Sequence, residues 1–276
     1  MKWNIVHRTQ YTYASPVRDS FNEVRLQPFS DVGQTVEDFQ ITVQPTVRMR
    51  QYYDFFSNVV HHFELAEPHT SLSVESRVRV ATHPPTPLGD QETPWPLARI
   101  GEAGREPRVF DFLDGSRFVE LSPEAWRLAL DATVGVTDAW QAALAIMRWI
   151  HREVAYEPQS TTVHTHMRDV LRDKRGVCQD FAHLMIGLCR SIKIPALYVS
   201  GYLATETASA THAWTEVLIP GLGWRALDPT HNQQPDGTYV KIAVGRDYAD
   251  VPPVSGNYRG TTERQMQVQV NITPAV

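Results

Sequence analysis

The sequence is poor in cysteine: two residues in 276, at positions 178 and 189. A disulfide-held secreted scaffold is thereby excluded, because such domains need several cysteine pairs at short spacing. Long apolar runs are missing as well. No stretch approaches the ~18 residues of a membrane-spanning helix, so no membrane partner is expected. Residues Met1 to Gln10 hold no apolar segment and no small-residue cleavage site, and the expected location is cytoplasmic. Neither sign of charge dominates. The net charge of −5 argues against a nucleic-acid groove as the main function. There is no internal repeat, no acidic loop with calcium-ligand spacing, and no basic glycine-rich cradle for phosphates. His164-Thr165-His166 lacks a third Cys, His or carboxylate at ligand spacing, so no metal site is expected there. No cofactor is expected.

What is present reads as two parts. Residues 1 to about 120 alternate apolar and polar side chains in short runs, most clearly Leu72, Val74, Val78 and Val80 against Ser71, Ser73, Arg77 and Arg79. Such half-buried strands between turn residues predict an antiparallel β-sandwich. His61 and His62 fall on opposite strand faces and cannot both line one site. Residues 83–108 are a Pro- and Gly-rich connection, and proline lacks the N–H that a helix or ladder uses. The second part, 121–276, opens with helices. Ser122-Pro123 is a helix start. Thr137 is the expected cap of a second helix, which Tyr156-Glu157-Pro158 would end. Residues 251–256 read as irregular, and the chain closes on a strand around Met266 to Ile272. The predicted fold is α+β: the N-terminal sandwich, then helices packed on an antiparallel sheet.

The stretch with the most chemistry runs from 175 to 189. Gly176 ends a charged run, and apolar residues then recur at 181, 184, 185, 188, 189 and 192, the spacing of a helix with one buried face. Cys178 lies in the first turn. Unpaired backbone N–H groups and the positive end of the helix dipole favour thiolate there, and thiolate is the nucleophile. A cysteine on an apolar face is otherwise a small core residue, which is the reading for Cys189. Its distance along the helix, roughly 16 Å from the rise per residue, forbids a disulfide with Cys178.

Further on, Thr211 to Ile219 and Trp224 to Thr230 form a hairpin about Pro220-Gly221-Leu222-Gly223. His212, Trp214 and Glu216 share a face. Asp228 falls within about three residues of the position opposite His212, so a bulge or strand twist is expected to close the gap. A thiol, an imidazole and a carboxylate in this order make a nucleophile, a base and an orienting group.

The segments Gly176-Val177-Cys178-Gln179-Asp180-Phe181, Ile194-Pro195-Ala196, Val199-Ser200-Gly201-Tyr202, His212-Ala213-Trp214 and Trp224 with Asp228-Pro229-Thr230 resemble the core of the transglutaminase-like superfamily. The closer similarity is to its bacterial members, often described as candidate cysteine proteases. The N-terminal half resembles their all-β N-terminal domain through Tyr11-Thr12-Tyr13, Pro16-Val17 and Asp54-Phe55-Phe56-Ser57-Asn58. The resemblance implies a papain-like core with Cys178 as nucleophile, His212 as base and Asp228 as third member. It also implies a protein or peptide substrate. Gln179, Trp214 and Tyr156 are expected near the substrate or the oxyanion. Thr230-His231-Asn232 departs from the Asn-Gly that is common after Asp-Pro-Thr in these proteins.

The expected activity is attack on an amide or peptide carbonyl through a thioester, ending in hydrolysis. Transfer to an amine, as in a protein-glutamine transglutaminase, is the alternative outcome of the same first half. An inactive binding or scaffold module and an acyl-CoA-dependent acetyltransferase are the competing classes.

Overall fold

The computed structural model describes residues 1–83, 87–88, 95–105, 108–204 and 209–275. Its N-terminal part is organised by one strand, β1 (Lys2–Gln27). The first half of β1 pairs with β5 (His69–Thr82) on one side and with β13 (Arg264–Pro274) on the other. Its second half pairs with β4 (Val59–Leu65) and β12 (Val254–Arg259). Between Thr12 and Val17 the register with β5 shifts. Pro16 lies in that interval and has no N–H to offer the ladder. β2 (Gln34–Gln44) and β3 (Met49–Tyr53) complete the order β2-β5-β1-β4-β3. All of these pairings are antiparallel. The two halves of this curled sheet face each other across one apolar cluster that includes Tyr11, Val24, Leu26, Phe63, Leu72 and Val74. The alternation seen in the sequence is the alternation of buried and exposed positions along β1 and β5.

Two strands of this sheet come from the far end of the chain. Val254–Arg259 forms β12, so residues 254–256 of the stretch expected to be irregular lie in a strand, and β13 follows. Gly256 allows the approach, since a Cβ there would lie 2.5 Å from the Asn22 Oδ1 on β1.

Of the Pro-rich connection, residues 84–86, 89–94 and 106–107 lie outside the described residues. Leu97–Arg105 forms a 3-10 segment that buries Ile100 and Ala103. Helices follow. In α1 (Pro123–Ala132), Ser122 Oγ accepts the Ala125 N–H at 3.1 Å. The cap of α2 (Ala139–Glu153) is Asp138, whose Oδ1 accepts the Gln141 N–H at 3.0 Å. Thr137, the expected cap, instead offers its carbonyl to the Leu97 N–H. α2 ends at Glu153, and β6 (Ala155–Tyr156) pairs in parallel with β7 (Arg175–Gly176), with α3 (Met167–Asp173) between them.

α4 (Cys178–Ser191) sits at the centre. Every residue from Gln179 to Arg190 is buried. The expected single buried face is therefore a helix buried all round, enclosed by α1, α2 and α3 and by the sheet. That sheet has the order β10-β9-β8-β11, made of β8 (Ala196–Ala204), β9 (Ser209–Ile219), β10 (Gly223–Leu227) and β11 (Tyr239–Gly245).

β11 is an edge strand, and the N-terminal part covers it. The Gln34 amide donates to the Lys241 carbonyl at 2.7 Å and accepts the Lys241 N–H at 2.9 Å. Asn58 does the same for Val244, at 2.7 and 2.8 Å. Two side-chain amides thus stand in for a neighbouring strand and blunt the edge. Ile5, Val78 and Val80 join the same core as α4, so the two parts pack as one body.

Candidate active site

The site begins at the first residue of α4. Val177 precedes it in extended conformation, and its N–H bonds the Asp180 carboxylate at 2.8 Å. Thr161 Oγ1 donates to the same carboxylate oxygen at 2.5 Å. Burial pushes the Asp180 carboxyl upward, against the pull of these two bonds. Gly176 makes room for this clamp: a Cβ there would fall 2.6 Å from that of Asp180. Asp180 therefore fixes where the helix starts, and with it the position of Cys178. The Cys178 thiol is partly exposed, whereas Cys189 is buried.

β9 brings His212. Its neighbour across the ladder is Gly201 on β8. Thr215, three residues on, donates from Oγ1 to the Ala182 carbonyl at 3.3 Å. That bond ties α4, about one turn past Cys178, to the β9 segment that carries His212. Asp228 follows β10 directly. The ladder pairs Leu227 with Thr215 without a register shift, so Asp228 is two residues from the position facing His212. No bulge is needed. Diagonal neighbours on one sheet face are within reach of long side chains, and His212 Nε2 lies 2.8 Å from Asp228 Oδ2. Cys178 lies near enough to His212 to strengthen the hold of its imidazole on a proton.

The electrostatics follow from these partners. Burial pushes the His212 imidazole down, but the hydrogen bonds to Asp228 and Cys178 and the charges of both outweigh it and carry it up to about 9. Burial raises the Asp228 carboxyl, yet its bonds to His212, His231 and Tyr239 hold it far below the usual carboxylate range. Asp228 is thus an acceptor, and each ring nitrogen facing it bears the hydrogen. Its Oδ1 accepts the backbone N–H groups of Thr230 and His231, at 2.8 and 3.3 Å. Its Oδ2 accepts from His212, from His231 Nδ1 at 2.7 Å and from the Tyr239 hydroxyl at 2.6 Å.

Trp214 is buried with its ring stacked 6.3 Å from that of His212. Tyr156 is half exposed on β6; burial raises its hydroxyl and the nearby Cys178 adds to the rise. Gln179 is buried, and its amide donates to the Val163 carbonyl at 3.3 Å. That bond directs it toward the 157–166 loop. His183 accepts the Tyr248 N–H at 3.1 Å and stacks on Phe118; burial brings it down to about 4. His61 stacks on Phe39, and His62 faces Glu64 from the other side of the strand.

Two partners of Asp228 were not singled out in the sequence. Tyr239 lies eleven residues beyond it on another strand, with no local signal. His231 had one: it is a second imidazole three residues after the aspartate. Among the described residues, nitrogens of His212 and His231 and an oxygen of Asp228 lie within 4.8 Å of one another. These atoms are already bonded to each other through hydrogens, so they make a poor cradle for a cation.

Beyond Trp214 and Tyr239 opens a cavity of about 990 Å³, walled by Trp224 and, from the N-terminal part, by Phe29, Phe56 and Phe112. Lys241 sits in it between Glu216, at 2.7 Å, and Asp31, at 3.0 Å. The face shared by His212, Trp214 and Glu216 therefore runs from the Cys178 site into this cavity. Among the described residues, no helix is long and apolar enough to cross a membrane.

Comparison with known proteins agrees with this layout. Residues 127–229 match the transglutaminase-like superfamily, and residues 3–81 match the bacterial transglutaminase-like N-terminal region. The uncharacterized protein ML0607 of Mycobacterium leprae is 35% identical over 99% of this chain and 98% of its own. A protein-glutamine gamma-glutamyltransferase of Pseudomonas aeruginosa is 29% identical over 62% of this chain, which is 26% of its own length. The crystal structure of a candidate cysteine protease from Cytophaga hutchinsonii superposes with a TM-score of 0.81 at 25% identity, covering 99% of this chain and 90% of that one. With a helix-start cysteine, a histidine and an aspartate assembled on this α+β core behind a curled β-sheet, the chain belongs to the transglutaminase-like superfamily, in its bacterial form with the all-β N-terminal region.

Proposed function

We propose that this protein is a thiol enzyme acting on an amide or peptide bond of a protein or peptide substrate, with Cys178 as nucleophile, His212 as base and Asp228 as its orienting partner. The observation behind this reading is His212 itself: its Nε2 lies 2.8 Å from Asp228 Oδ2, and Cys178 at the start of α4 lies near enough to strengthen its hold on a proton. Cys178 Sγ attacks the carbonyl carbon and its proton resides on His212. The C–N bond then breaks, the leaving amine takes that proton, and the acyl group stays on sulfur as a thioester. Water, deprotonated by His212, releases the acid. The Cys178 N–H, one of the first in α4 and without an intrahelical acceptor, is the donor we assign to the oxyanion. Tyr156 and Trp214 flank this point, and Gln179 holds the loop beside it.

Hydrolysis is the outcome we favour. The second reading is transfer to a primary amine, and the similarity to the Pseudomonas glutamyltransferase supports it. The two differ only in what meets the thioester. An inactive scaffold would have no use for an imidazole set between a thiol and a carboxylate. The proposed compartment is the cytoplasm, where free thiols such as these two stay reduced.

The test is acylation by p-nitrophenyl acetate, with the modified peptide located by mass spectrometry. The expected result is a burst of nitrophenol and an acetyl group on Cys178 that His212→Ala abolishes. Absence of acylation at Cys178 in the folded protein would overturn the reading. Casein supplied with dansylcadaverine then separates the outcomes: peptide fragments, or glutamine converted to glutamate with no dye attached, for hydrolysis, and fluorescent casein for transfer.

A further inference from the structure

Asp228 serves two imidazoles. His212 Nε2 and His231 Nδ1 both donate to Oδ2, at 2.8 and 2.7 Å, and the Tyr239 hydroxyl adds a third bond at 2.6 Å. A carboxylate oxygen has two lone pairs, so three donors divide its charge. His231 is delivered by the loop that Asp228 itself opens. The Asp228 N–H donates to the Gln233 carbonyl at 2.8 Å, and the Gln233 N–H returns the bond at 3.2 Å. Asn232 takes a positive φ of 52° inside it. From α2, His151 Nδ1 meets the Thr230 carbonyl at 3.0 Å and backs the loop. The two imidazole rings stand 5.2 Å apart. They differ in exposure: the His212 side chain is 7% exposed and that of His231 45%.

We infer that His231 is a positioning residue, which shares the Asp228 carboxylate with His212 and limits how tightly His212 holds its proton. The inference rests on the reading of Cys178, His212 and Asp228 as one unit. The donors compete at one oxygen. The Asp228 bond strengthens the hold of His212 on its proton, and every other donor on Oδ2 weakens that bond. Tyr239 competes from a buried strand. His231 competes from the solvent side, where it can be changed with little else. The titratable groups facing His212 are Cys178, Asp228, His231 and Tyr239. Those facing His231 are Asp228 and His212, with His151 on the loop behind. A general base works best when its affinity for the proton is matched to the working pH. Three donors on Oδ2 set that match lower than His212 alone would.

The experiment follows the imidazole resonances of His212 by NMR titration, together with the pH profile of p-nitrophenyl acetate acylation. His231→Ala and His231→Leu remove the donor; the leucine keeps the bulk. Both are expected to move the His212 titration, and the alkaline limit of acylation with it, upward by about half a pH unit or more. His231→Asn is expected to return both toward wild type, because its amide nitrogen lies where Nδ1 lay and still donates. Titrations of His212 within about 0.2 units of wild type in the folded Leu variant would overturn the inference. So would an Asn variant that shifts as far as Leu. A control separates the two levels. If His212→Ala leaves Cys178 equally acylated, the catalytic reading itself fails. If His212→Ala silences Cys178 while all His231 variants titrate like wild type, only the role of His231 fails.

Discussion

The two ends of α4 carry the same residue and do different things with it. Cys178 opens the helix, is partly exposed and lies near His212. Cys189, eleven residues on, is buried among apolar side chains, and burial pushes its thiol up to about 12. Next to it, Arg190 is also buried, and its guanidinium donates to the carbonyls of Ala196, Asp114 and Arg246 at 2.8–3.0 Å. One end of the helix presents a thiol to a base; the other anchors the fold. A cysteine's neighbours decide its chemistry, and these neighbours come from elements far apart in the chain.

The largest expected effect of breaking the contrast is at the first end. Cys178→Ala should lower acylation by ~10⁶-fold, to background, with circular dichroism unchanged, while Cys189→Ala should stay within about threefold of wild type, as a site outside the catalytic unit does. Equal losses in both would erase the distinction. Asp228→Asn comes next. It should slow acylation by about 10⁴-fold through loss of the His212 orientation and tautomer, measured in stopped-flow bursts.

Iodoacetamide at neutral pH should label Cys178 at least ~100-fold faster than Cys189, because the thiolate reacts and burial suppresses it at 189. Peptide mass spectrometry reads this directly. Cys189→Ser tests the anchoring end: it buries a hydroxyl among apolar groups and should cost about 1–3 kcal/mol in urea unfolding, with the acylation rate kept below the transition.

The smallest effect lies in the pH dependence of stability, on the order of 1 kcal/mol for each group. His212 is raised when folded, from 6.5 to about 9. Its contribution is fully present below pH 6.5 and is lost as pH rises through 9. Cys189 is raised from 9.0 to about 12, so its contribution is lost only above pH 9. His212→Gln should flatten the lower window alone, and Cys189→Ala the upper window alone, in thermal melts between pH 6 and 10.

Much of this could be read in the sequence, for reasons that are local. The helix start at Cys178 shows in Gly176 and the apolar spacing that follows. The hairpin shows in Pro220-Gly221-Leu222-Gly223, and the N-terminal strands in their alternation. Other features could not be read. Capping shifted by one residue, from Thr137 to Asp138, because both residue types accept the same N–H and only the chain's path chooses between them. α4 looked one-sided because Gln179, Asp180, His183 and Arg190 are polar. They are buried with partners such as Val163, Thr161 and Tyr248, brought from other elements. Residues 251–256 looked irregular because two prolines and a glycine hide a strand whose partner lies more than two hundred residues away.

By itself the sequence determined the residue types at the site and their order, the helix that begins at Cys178, and the alternation of the sheets, since all of these rest on spacing along the chain. Tertiary structure alone decided the rest. It set the diagonal reach of Asp228 to His212, the arrival of Tyr239 at the same carboxylate oxygen, and the return of β12 and β13 to β1. The bonds of His212 and Tyr239 to Asp228, at 2.8 and 2.6 Å, depend on where separate strands cross and turn, and that is a property of packing rather than of any local run of residues.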